Sequence, residues 1–204
     1  ARLGVVSASP ETARAAALGG TGTMSQITQP SNRVCTAQDG GSHRQEVVTM
    51  QTVRQFIAAL IREAGADLTR QAEKMSDSQL TWSPVVNGNT GRNAANQIAE
   101  CAFINRWGAE AFRNLAVPEL DHVALGNAEL AAGRQSVADL AAATEELAAA
   151  IEARTDEEMA GSLMDPFTKT ETTWSSFAMV FYWNMIYHVG QICYIQTLYG
   201  DTSF

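Results

Sequence analysis

Asn184, His188 and Gln191 lie at helical spacing inside the apolar run FAMVFYWNMIYHVGQICYIQTLYG, residues 177–200. At about 100° per residue, positions 184, 188, 191 and 195 fall within roughly 60° of one another, and Phe177, Phe181 and Leu198 extend the same face. Three hydrogen-bonding side chains therefore interrupt a core-facing stripe. An uncompensated polar group there costs on the order of 1–3 kcal/mol, so each must meet a protein partner, a water, a ligand or a metal. The types present bear on which. An imidazole is a strong ligand for a transition ion, whereas an amide carbonyl is a weak, hard, uncharged donor that suits Ca or Mg better than Zn or Ni. Those harder ions usually require carboxylates as well, and Glu100 and Asp165 are the candidates to supply them.

The elements that must position these groups are helices. Val53, Phe56, Ile57, Leu60, Ile61, Ala64 and Leu68 repeat at three and four, which predicts a helix over 51–75. A second, over 92–114, turns Gln97, Cys101, Ile104, Gly108 and Ala111 inward, with Thr90 before it and Pro118 beyond. Residues 115–134 read as a looser connection. Ser136 with Asp139 resembles an N-cap arrangement for an Ala/Leu/Glu helix running to about Arg154. GSLMDPFTKTET reads as a turn, and the last helix spans 173–199 with Gly200 as its terminator. Four helices, one apolar stripe each and no alternating strand pattern specify a four-helix bundle. The connection of about 20 residues between the second and third helices can run the length of the bundle and permits an up-down-down-up order.

Composition narrows the function. The 204 residues are 46% hydrophobic, ample for one core. Net charge is −8. Residues 1–49 hold four basic and three acidic groups, leaving 10 basic and 19 acidic residues beyond them, a body of net charge −9. An acidic body without a basic patch argues against nucleic acid. Cys35, Cys101 and Cys193 form no CxxC pair, and an odd count fits reduced thiols in a cytosol. The apolar segment has no stretch free of Asn, His or Gln longer than Phe177 to Trp183, too short for a membrane span, and ARLGVVSASP does not read as a secretory signal. The expectation is a cytoplasmic protein. Residues 1–49 are rich in Ala, Gly, Ser, Thr and Gln without a sustained period, so they are expected to form a disordered extension to a domain over 50–204. Met50, just before the first periodic segment, is an expected start site.

WNMIYHVGQICYIQTLYGD at the end, WSP after the first helix and NQIAECAFINRW in the second resemble the DinB-like (YfiT-like) superfamily of four-helix bundles, over about residues 50–202. The resemblance implies a site at which members typically hold a divalent metal with three histidines. One is in the second helix and two are at His-x3-His spacing in the fourth, the latter often followed by Gly-Gln. His188, Gly190 and Gln191 in YHVGQ match the last position. Asn184 stands in the first place of the fourth-helix pair, and Gln97 where the second-helix histidine is expected. Some relatives are thiol-dependent transferases or hydrolases that use the metal to activate a small thiol or water. The resemblance also implies a homodimer.

Gln97, Asn184 and His188 are thus the candidate metal positions, and Cys101 and Gln191 the pocket positions beside them. Two amides in place of imidazoles remove the strongest donors, and amides satisfy one another easily because each carries donors and an acceptor. The preferred expectation is a small-molecule binding or regulatory module with a degenerate metal site and no tightly bound cofactor. The alternative is a divalent-metal-dependent transferase or hydrolase, with Zn, Ni or Fe, acting on a small thiol or thiol conjugate. Cys101 becomes a nucleophile only if a cation or His188 lowers its pKa; otherwise it is an inert packed thiol. Trp183, Tyr187, Gly190 and Tyr194 form a second stripe, read as packing or a dimer surface, and Trp82, Trp107 and Trp174 read as caps at the bundle ends. No dinucleotide, P-loop or hydrolase-elbow pattern occurs, and His43 and His122 fall in irregular segments.

Overall fold

The computed structural model describes residues 51–202; the expected disordered extension, with Cys35, His43 and Met50, lies outside the described residues. Four long helices carry the fold: α1 (Val53–Glu73), α3 (Ala94–Asn114), α5 (Gln135–Glu152) and α7 (Trp174–Leu198). Short elements join them: α2 (Asp77–Leu80), the β1–β2 hairpin (Val85–Val86, Asn89–Thr90), α4 (His122–Leu130), α6 (Asp156–Ala160) and the β3–β4 hairpin (Ser162–Met164, Glu171–Thr173).

Cross-helix bonds set the directions. Arg62 of α1 meets Glu145 and Glu152 of α5, Arg54 donates to the Arg154 carbonyl, and Arg134 reaches the Ala72 carbonyl, so α1 and α5 are antiparallel. Arg106 faces Asp139 and Arg113 faces Glu146, so α3 and α5 run parallel. Gln97 meets His188 while Phe112 packs on Trp174, so α3 and α7 are antiparallel. The order is up-down-down-up, as the long second connection allows. α4 makes that connection possible: the Glu129 carbonyl accepts from Asn96 and its carboxylate pairs with Arg92, returning the chain to the start of α3.

One half of the core is aromatic. Trp107, Phe112, Trp174, Phe177 and Phe181 meet with ring centroids 5.2–6.2 Å apart, edge-on or tilted except for the stacked pair Phe112 and Phe177. Elsewhere the core packs aliphatic side chains such as Ile61, Leu68, Leu140 and Leu147 among small ones. Gly65 admits Thr144 so closely that a Cβ there would lie 2.5 Å from the threonine methyl, which lets α1 and α5 approach. No helix among the described residues is long and apolar enough to cross a membrane.

Several local expectations are corrected. The loose stretch 115–134 contains α4, started by Asp121, whose carboxylate accepts from the Val123 and Ala124 amides. Ser136 is not an N-cap: α5 begins one residue earlier behind Arg134, and the Ser136 hydroxyl accepts from the Gly133 amide. α3 starts at Ala94 rather than Arg92, behind an Asn93 cap closed reciprocally by Asn96, while Thr90 is taken up by the first hairpin. GSLMDPFTKTET is the β3–β4 hairpin, whose turn is held by Asp165 accepting from the Phe167 and Thr168 amides. Val53 and Phe56 are exposed, so the apolar stripe of α1 begins at Ile57. Trp107 is no end cap; it sits within the aromatic core and donates to the Pro118 carbonyl.

Candidate functional site

Asn93 caps α3 so that Gln97 and Cys101 face inward on consecutive turns, and α7 descends opposite them. Gln97, His188 and Gln191 come together. His188 Nδ1 lies 3.1 Å from Gln97 Oε1 and 2.9 Å from Gln191 Oε1. Asn184 stands one turn away and is not part of that contact; its amide Nδ2 donates to Cys101 Sγ at 3.6 Å. Of the two acidic candidates, Glu100 is at the site, with Oε2 3.4 Å from His188 Nε2, while Asp165 closes the β3–β4 turn.

Arg92 completes the arrangement and was not singled out in the sequence. Its guanidinium pairs with Glu100 Oε2 at 2.5 Å and with Glu129 Oε1 at 3.1 Å. Burial pushes the Glu100 carboxyl up, but His188 and Arg92 together outweigh burial and leave it below the usual carboxylate range. Both nitrogens of His188, which is 2% exposed, thus face side-chain oxygens. The chain Arg92, Glu100, His188 and the two glutamine amides is a polar network with an inner end in the core.

Cys101 is fully buried, and desolvation, with the Glu100 charge second, pushes its thiol pKa up. It is a packed thiol, not a thiolate. Cys193 is half-buried and likewise raised by burial. One further buried amide was missed: Asn105, one turn past Cys101, donates to Thr144 Oγ1 at 3.2 Å and reaches Met185 Sδ at 3.4 Å, tying α3, α5 and α7 together.

Outside the network lies a groove of about 720 Å³ lined by Pro84, Arg92, Gln97, Tyr187, Gly190, Gln191, Tyr194 and Ile195. Cys101 and Asn184 are not in its lining. Tyr187 and Tyr194 are 64% and 66% exposed, one turn to either side of Gly190, where an added Cβ would meet nothing within 4 Å. The stripe read as packing or dimer surface therefore supplies the groove's walls and floor.

The donor set decides whether a metal suits the site. Among the described residues, no three His, Cys, Asp or Glu side chains converge. Around His188 the available ligands reduce to one imidazole and one carboxylate, and that carboxylate already holds a guanidinium. A fixed positive charge beside the ring opposes a divalent ion and competes for Glu100. These residues do not fit a tightly held Zn, Ni or Fe ion, which needs three strong donors in a fixed triangle.

No protein-family model matches the chain, and no curated protein sequence matches it. Among solved structures the chain is similar to YfiT from Bacillus subtilis, described as a probable metal-dependent hydrolase with an unusual four-helix bundle topology. The two share 20% sequence identity with a TM-score of 0.61, over 78% of this chain and 93% of that one. The scaffold is thus the four-helix bundle of YfiT.

Proposed function

We propose that this chain is a metal-free small-molecule binding module on a DinB-like scaffold. The carrying observation is that His188 is closed by Gln97 and Gln191 on one nitrogen and by the Arg92-paired Glu100 on the other, beside an open groove. A ring whose two nitrogens both face protein oxygens can be held in place without an ion, and the groove's volume lies in the range that small-molecule sites occupy. Reduced cysteines and an acidic body favour a cytoplasmic setting. The exposed Trp183 of α7, outside the groove lining, favours a homodimer, which sedimentation would read as twice the monomer mass.

A second reading, a divalent-metal-dependent transferase or hydrolase acting on a small thiol or thiol conjugate, draws on the description of YfiT and on the 3.4 Å approach of His188 Nε2 and Glu100 Oε2. Metal analysis of the full chain purified without added ions separates the two. The binding-module reading expects Zn, Ni and Fe each well below one equivalent; a stoichiometric ion lost in His188→Ala would overturn it.

A further inference from the structure

The polar atoms of the groove are of one kind, and that kind selects its ligand. Both Oε1 atoms of Gln97 and Gln191 are turned to His188, and among the described residues no hydrogen bond takes up either amide NH2 group. Arg92 spends one nitrogen on Glu100 and another on Glu129, and its remaining N–H groups stay on a side chain 44% exposed. No acidic side chain lines the groove. What a ligand meets is therefore a guanidinium shared by two carboxylates and two amide donors along one wall, with Pro84, Ile195 and the two tyrosine rings as the rest of the surface.

From these residues, and resting on the binding reading above, we infer that the groove takes a flat, mostly apolar molecule carrying one carboxylate: the head bound by Arg92, Gln97 and Gln191, the body over Gly190 between Tyr187 and Tyr194. A guanidinium matches a planar carboxylate in a way an ammonium or neutral amide cannot, and charge-assisted bonds are about twice as strong as neutral ones. A planar ring gains from tyrosine faces beyond the area it covers. Glu100 and Glu129 share the Arg92 charge from outside the groove lining, so the preference rests on donors: a carboxylate accepts from the guanidinium and the two amides, while an ammonium meets no carboxylate along the groove.

The test titrates the full chain, with its metal content measured beforehand, with 2-naphthoate, the neutral 2-naphthamide and the cation 2-naphthylmethylammonium, following tyrosine and tryptophan fluorescence. The expected result is saturable naphthoate binding at least about tenfold tighter than either analogue, which is the worth of one charge-assisted bond. A Cβ at position 190 meets nothing within 4 Å, so Gly190→Leu, which fills the floor, should keep the thermal midpoint and lose naphthoate binding at least about tenfold. Gln191→Leu should narrow the preference for naphthoate over naphthamide. Preference for the cation or the amide, unchanged binding in Gly190→Leu, or no binding of any probe each overturns the inference. A stoichiometric metal found beforehand overturns the binding-module reading instead, so the two failures are told apart.

Discussion

At the scale of single residues, the site depends on what each amide faces. Gln97 and Gln191 turn their oxygens to one imidazole nitrogen, and Glu100 sits on the other. Because the folded Glu100 carboxyl lies below its ordinary value of 4.5, its contribution to stability is complete above that pH and is lost as pH falls through the folded value. Chemical denaturation of the parent should therefore lose stability on acidification below about pH 4.5 more steeply than Glu100→Gln; parallel curves would mean that the carboxylate is not held by His188 and Arg92. Gly108 tests packing at the same scale. A Cβ there would lie 2.3 Å from Phe181 Cε1, and the ring is locked among Trp107, Phe112 and Phe177. Gly108→Ala should cost about 1–3 kcal/mol in urea unfolding despite the better helix propensity of alanine. Gln97, His188 and Gln191 could be found from periodicity because a polar residue on an apolar stripe stands out. Arg92 and Asn105 could not: Arg92 precedes its helix, so no period marks it, and Asn105 looked like any polar residue until its burial was known.

At the scale of elements, helix content was legible and helix starts were not. α7 ends at Gly200, φ +84, as its sequence implies, because only a residue free of a Cβ takes that backbone cheaply. α5 starts without a side-chain cap behind Arg134, so the Ser136 signal placed the cap two residues too late. The first hairpin carried a clear mark that went unread: Asn87-Gly88, with φ +52 and +78, is the two-residue turn that such a pair favours. Its strands of two residues are too short to show alternation. The pairing of α1 with α5 rests mainly on the close Gly65–Thr144 contact, with Arg62 clamping Glu145 and Glu152 at 2.7–2.9 Å on the surface. Hydrogen bonds from Arg62 hold both carboxyls below their ordinary range, but solvent reaches all three groups. Arg62→Gln should cost no more than about 1 kcal/mol, and the loss should shrink in 1 M salt. A loss of several kcal/mol would mean that the clamp, and not the glycine contact, joins the two helices.

At the scale of the whole molecule, the scaffold matches that of YfiT. The order of the four helices is the one that the length of the second connection permits, and the antiparallel approach of α3 and α7 brings Gln97 and His188 face to face. Which groups occupy that approach separates an ion-holding bundle from one that holds itself by hydrogen bonds. Zinc titration of the parent beside Gln97→His/Asn184→His, followed by calorimetry, puts this to the most direct test. Restoring two imidazoles beside His188 supplies the missing triangle of donors, so the double variant should take up one zinc ion at least about a hundredfold more tightly than the parent, which should show no saturable uptake in the micromolar range. Tight one-to-one uptake by the parent itself, abolished by His188→Ala, would contradict the account.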